Sequence, residues 1–186
     1  MRFTSFRNKN QIRLEKQKIV FQFTIVLIAS FIAGTLFIRL ISDEALSYIS
    51  ERASNHFLSE VSRSFFFKNC TLDVLCVCIL YLFSFSFINY VVSDIIIAFT
   101  SFNFGIFSRL CILSSLGNSI LIFFKLVLLL LIYIYSCKIG MDSLNLKKFL
   151  PNGRISIDNK TFSKMTVFTV SIIVVILIIN GLYCLF

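Results

Sequence analysis

From Ile19 to Ile38 the chain runs twenty residues without a formally charged side chain. A helix of that length, at about 1.5 Å per residue, reaches across the hydrocarbon core of a bilayer, which is ~30 Å thick. Apolar runs of similar character recur through the rest of the sequence, so lipid is the solvent against which this chain folds. Composition agrees: 58% of the 186 residues are hydrophobic and 15% are charged, with a mean hydropathy of +0.90. Soluble domains are about 45–50% apolar and about 25% charged. Soluble globular and disordered classes are excluded on this ground. One proline and six glycines exclude collagen-like and linker-rich classes. The length allows one domain, and heavy use of Phe, Ile, Ser, Asn and Lys points to an AT-rich bacterial genome.

The segment before the first run, residues 1–18, carries Arg2, Arg7, Lys9, Arg13, Lys16 and Lys18 against Glu15. A cleaved signal peptide has a shorter apolar region, about 7–15 residues, and a small-residue cleavage site. Here the run is longer and leads into Arg39 and Ser42-Asp43-Glu44, which favours an uncleaved anchor helix over 19–38. Residues 43–68 are polar by comparison. Leu46, Ile49, Ala53, Phe57 and Val61 recur there at helical steps, which predicts an amphipathic helix. From Leu72 to Leu116 the chain is again nearly all apolar, interrupted at Ser93-Asp94. Two spans, 74–92 and 95–113, fit that stretch, with a re-entrant hairpin as the alternative. Further spans are expected at 119–137 and 165–186, separated by a polar 138–164 segment with a turn at Pro151-Asn152-Gly153.

Charge placement sets the orientation. The 138–164 segment holds Lys138, Lys147, Lys148, Arg154, Lys160 and Lys164 against Asp142 and Asp158. The positive-inside rule puts it, and the basic N-terminus, in the cytoplasm. An even number of crossings must separate them, and four spans do. The expected fold is therefore an all-α integral membrane protein: a five-helix transmembrane bundle with an amphipathic extracytoplasmic helix over 43–68. It is multi-pass in a bacterial cell membrane, with the N-terminus cytoplasmic and the C-terminus extracytoplasmic.

The sequence carries no metalloprotease, P-loop or dinucleotide-binding motif. His56 is the only histidine, so a multi-histidine metal site within one chain is excluded. Cys76 and Cys78 are two apart on a helix and point to different sides. Most cysteines lie in apolar runs, where they act as small hydrophobes; the disulfide state of Cys70, Cys111 and Cys184 is left open. Asp73 and Asp94 are expected at span ends, and Arg109 and Lys125 within reach of the outer headgroups. No catalytic residue, cofactor, metal, small-molecule substrate or nucleic-acid partner is expected. Two surfaces remain. Leu46, Ile49, Ala53, Phe57 and Val61 form a candidate partner-facing stripe, with lying on the bilayer or packing on the bundle as the alternatives. Ala98, Ser101, Gly105 and Ser108 share one face of the third span and form a candidate helix-packing face, within the bundle or with another membrane protein.

The layout resembles the stage II sporulation protein M family. That family has a basic cytoplasmic start, an anchor helix, an outer helical segment and a compact block of further helices, five in all. Ala98-Phe99-Thr100-Ser101-Phe102-Asn103-Phe104-Gly105 is similar to the family's glycine- and phenylalanine-rich run in the third helix. Leu116-Gly117-Asn118-Ser119 stands where the family carries an L-P-Q-N type turn. The resemblance implies a non-enzymatic scaffold that recruits cell-wall hydrolases, stage II sporulation proteins P and D, at the septum during engulfment. The alternative expectation is the membrane subunit of an ATP-driven exporter; a pore-forming peptide is a third.

Overall fold

The computed structural model describes residues 2–41, 63–86, 88–113, 119–149, 155–157 and 159–183. Within them lie five helices: α1 (Arg2–Leu40), α2 (Arg63–Phe83), α3 (Asn89–Leu113), α4 (Ser119–Leu146) and α5 (Asn159–Tyr183). A two-stranded antiparallel ribbon joins the last two, with β1 (Lys147–Phe149) against β2 (Ile155–Ile157) and Lys148 opposite Ser156. The fold is all-helical, as expected, apart from this short ribbon. β1 and β2 flank the Pro151-Asn152-Gly153 sequence, whose proline and glycine favour chain reversal.

Four of the helices hold a stretch long and apolar enough to cross a membrane: Arg13–Leu40, Asn89–Leu110, Ile122–Asp142 and Asn159–Leu182. α2 carries a shorter apolar stretch, Cys70–Phe83. The chain is thus a multi-pass membrane protein by the length and composition of its helices. Its exterior agrees. Ile25, Ile28, Ile32 and Leu36, at helical spacing along α1, are each about half exposed, as are Ile134 on α4 and Val170 and Ile178 on α5. A water-facing exterior would not present such contiguous apolar faces.

The break between the second and third helices is not at Ser93-Asp94. The chain turns at residues 84–86 and 88, and Ser93 and Asp94 lie inside α3. Serine chemistry explains the true position. Ser84 Oγ donates to the Tyr81 carbonyl at 2.6 Å, and the Ser84 and Ser86 amides bond back to Tyr81 and Phe83. Ser86 Oγ then accepts the Ile88 amide at 3.4 Å. These short-range bonds offer the backbone an alternative to the helix ladder. Helical bonding resumes with Val92 N–H to the Ile88 carbonyl.

Helix directions follow from which residues meet. Along α1 and α3, Gln22 bonds Asp94, 72 positions on, and Leu27 bonds Ser101, 74 positions on. A near-constant offset means that the two helices run parallel. α4 is antiparallel to α1: Thr24 meets Tyr133, while Ile19 and Phe23 lie against Gly140. α5 is antiparallel to α2, since Tyr81 meets Thr166 and Asp73 meets Asn180. The short 84–88 connection reverses α2 into α3. The five helices therefore alternate in direction along the chain.

Two buried clusters hold the helices together. One joins α2, α3, α4 and α5 through Val77, Leu80, Ile96, Ile132, Tyr135 and Ile176, among others. The other joins α1, α3 and α4 through Ile19, Phe23, Ile97 and Cys137.

Candidate functional site

The face picked out by its small residues packs against α1. Ser101 is wholly buried, Ser108 is 8% exposed, and Gly105 is buried while Ala98 is half-buried. The partner on α1 is Gly34. A Cβ on Gly34 would lie 2.2 Å from the Phe102 carbonyl oxygen, and one on Gly105 would lie 2.5 Å from the Phe31 carbonyl oxygen. Only glycine lets the two backbones approach this far, as at small-residue seams in membranes generally. Ser101 Oγ reaches across to donate to the Leu27 carbonyl at 2.6 Å. Phe31 stacks on Phe104 with centroids 5.6 Å apart, and Phe37 meets Phe102 at the same separation. Ser101, Phe102, Phe104 and Gly105 of the 98–105 run thus meet α1, while Phe99 and Asn103 are exposed.

The other sequence-predicted stripe, Leu46, Ile49, Ala53, Phe57 and Val61, lies outside the described residues, as does His56. Of the expected 43–68 helix, residues 63–68 begin α2.

Polar side chains tie the helices pairwise, and most of these ties join residues far apart in sequence. Asp94 lies in the second turn of α3, and the Gln22 amide donates to its carboxylate. Asp73 accepts from the Asn180 amide at 3.3 Å, and the Lys125 ammonium attracts it. Thr24 and Tyr133 share a hydroxyl bond of 2.7 Å, Tyr81 and Thr166 one of 2.8 Å, and Tyr135 and Thr169 one of 2.7 Å. The Tyr90 hydroxyl reaches the Gly140 carbonyl at 3.5 Å. In lipid, a polar group without such a partner costs several kcal/mol, so each tie holds two helices in one relative position. Gly34 and Gln22 were not singled out by their own sequence; only the small residues of α3 were.

Cys76 is buried while Cys78 is exposed, and Cys70, Cys76, Cys78 and Cys137 take part in no disulfide. Among the described residues no group of three or more His, Cys, Asp or Glu side chains is placed to share a metal ion. No family model, curated protein or solved structure matches the chain.

Proposed function

We propose that this protein is a non-catalytic scaffold of a bacterial cell membrane, crossing it five times with its N-terminus in the cytoplasm and its C-terminus outside. One observation carries the reading: interhelical side-chain bonds lock the bundle at α1–α3, α1–α4, α2–α5 and α4–α5. A carrier that rocks one half against the other needs an interface free to slide; a platform for partners needs a fixed one. The alternating helix directions support five crossings. On this reading the basic N-terminus and the Lys- and Arg-rich 138–164 segment share one side, in keeping with the positive-inside rule.

On this reading the extracytoplasmic 43–62 segment is the recruiting surface. The resemblance to the stage II sporulation protein M family supplies the partners: cell-wall hydrolases of the stage II sporulation P and D type, gathered at the septum during engulfment. The test is to change Ile49 and Phe57 to Asp in the full chain and to follow both insertion and hydrolase position. Insertion intact with hydrolases dispersed is the expected result. Hydrolases that stay in place would overturn the proposal.

Asp73 and Asp94, both inside helices, favour the competing reading of an exporter's membrane subunit, because ionisable side chains within spans often mark transport paths. That reading requires a co-purifying ATPase and substrate flux in proteoliposomes containing both.

A further inference from the structure

At the ends of α1 and α3 a cleft of about 270 Å³ opens between the two helices. Arg39 and Arg109 both line it. Among the described residues neither guanidinium has an ion-pair or hydrogen-bond partner. Two cations beside one cleft repel each other, and the repulsion grows as the dielectric falls.

Helix ends account for part of this charge. α1 and α3 are parallel, so their C-termini finish together, and each carries roughly half a negative charge. Among the described residues the two guanidinium groups exceed that by about one unit. One further monoanion restores neutrality, and a phosphodiester carries one such charge.

We propose that this cleft holds the phosphate of an anionic phospholipid. The walls suit the rest of the molecule: Phe31, Leu36 and Ile112 line the same cleft and offer an apolar surface to acyl chains. The depth also fits. Arg39 is next to the last residue of α1 and Arg109 is within the last turns of α3, where a long basic side chain meets the headgroup layer. The hydroxyls at the cleft do not compete as donors. Thr35 Oγ1 donates to the Ile32 carbonyl at 2.8 Å, and Ser108 Oγ to the Gly105 carbonyl at 3.0 Å. Anion binding therefore falls to the guanidinium forks, which match phosphate oxygens in pairs. Basic pockets between membrane helices are a recurring form of headgroup recognition.

The inference requires only that the bundle sits in lipid, so its failure would leave the scaffold reading untouched. The full chain, stripped of lipid in detergent, would be supplied with phosphatidylglycerol or phosphatidylcholine and weighed by native mass spectrometry. One phosphatidylglycerol per chain should stay bound, and phosphatidylcholine should be lost more readily. R39Q and R109Q should each weaken retention by about tenfold, the effect of one charge-assisted contact. Arg39 is exposed at a helix end, so R39Q keeps the test open should R109Q misfold, with circular dichroism as the check. Equal retention of the two lipids would overturn the proposal. So would displacement of the lipid by millimolar inorganic phosphate, which would mark a free-anion site. Unchanged retention in both variants would also overturn it, and would point to Asp43 or Glu44 as the neutralising groups.

Discussion

Gly34 and Gly105 lie so close that a Cβ built on Gly105 would sit 3.2 Å from the Gly34 Cα. The same added carbon meets backbone atoms of Phe31 and Thr35, which cannot rotate away. Gly34→Ala and Gly105→Ala should each push α1 from α3 and cost about 1–3 kcal/mol, the usual range for overpacking. Gly181, with nothing within 4 Å of its would-be Cβ, is the control. Gly181→Ala should be neutral or stabilising by up to about 1 kcal/mol, since alanine orders more readily in a helix. Unfolding of the purified protein in graded denaturing detergent would compare the three.

The Gln22–Asp94 contact should behave as a coupled pair. A double-mutant cycle with Gln22→Leu and Asp94→Leu is expected to give a coupling of about 0.6–1.7 kcal/mol, the range for interhelical bonds in lipid. Asp94→Asn, which still accepts from the Gln22 amide, should lose less than Asp94→Leu. Strict additivity of the two leucine substitutions would show that the contact does not hold the helices.

Thiol reactivity should divide along the burial pattern. Cys78 faces outward on α2 while Cys76 and Cys137 are buried. In intact vesicles a lipid-soluble maleimide should modify Cys78 well ahead of Cys76 and Cys137. Mass spectrometry of the labelled peptides reads the order. Reaction of Cys76 at the rate of Cys78 would contradict the packing of α2.

Helix directions make a further prediction. With α1 and α3 parallel and α4 reversed, probes at Ser86 and within the ribbon loop should report the same side as the N-terminus. Probes at the C-terminus should report the other side. Single cysteines at these positions, tested with an impermeant reagent, decide it. A tail on the side of the head would refute five alternating passes.

The helices were largely legible in the sequence because run length and bilayer thickness constrain each other tightly. The small-residue face of α3 was legible too, since Ala98, Ser101, Gly105 and Ser108 repeat at helical spacing. Its mate was not. Gly34 sits beside Ala33 with Ser30 four positions before it, and a single small-residue step is too short to mark a face. The turn was misplaced for a related reason. Ser93-Asp94 is a polar pair at the middle of its run, and polarity there suggests a return to water. A helix in lipid tolerates a carboxylate when another helix supplies a donor, and Gln22 is 72 residues away. The actual turn depends on Ser84 and Ser86, whose hydroxyls bond locally and leave little trace in hydropathy. The ribbon at 147–157 escaped notice because three-residue strands carry too few positions to reveal an alternating pattern.

The parallel pairing of α1 and α3 has a consequence for biosynthesis. The mate of Gln22 leaves the ribosome 72 residues later, which at translation speeds of 5–20 residues per second is a delay of roughly 4–15 s. Throughout that interval the nascent first helix sits in the bilayer with its glycine notch and its amide uncovered. Insertion machinery or a passing lipid must shield them until the third helix arrives. Slowing synthesis between codons 60 and 100 should therefore harm the yield of folded protein more than slowing it near the end.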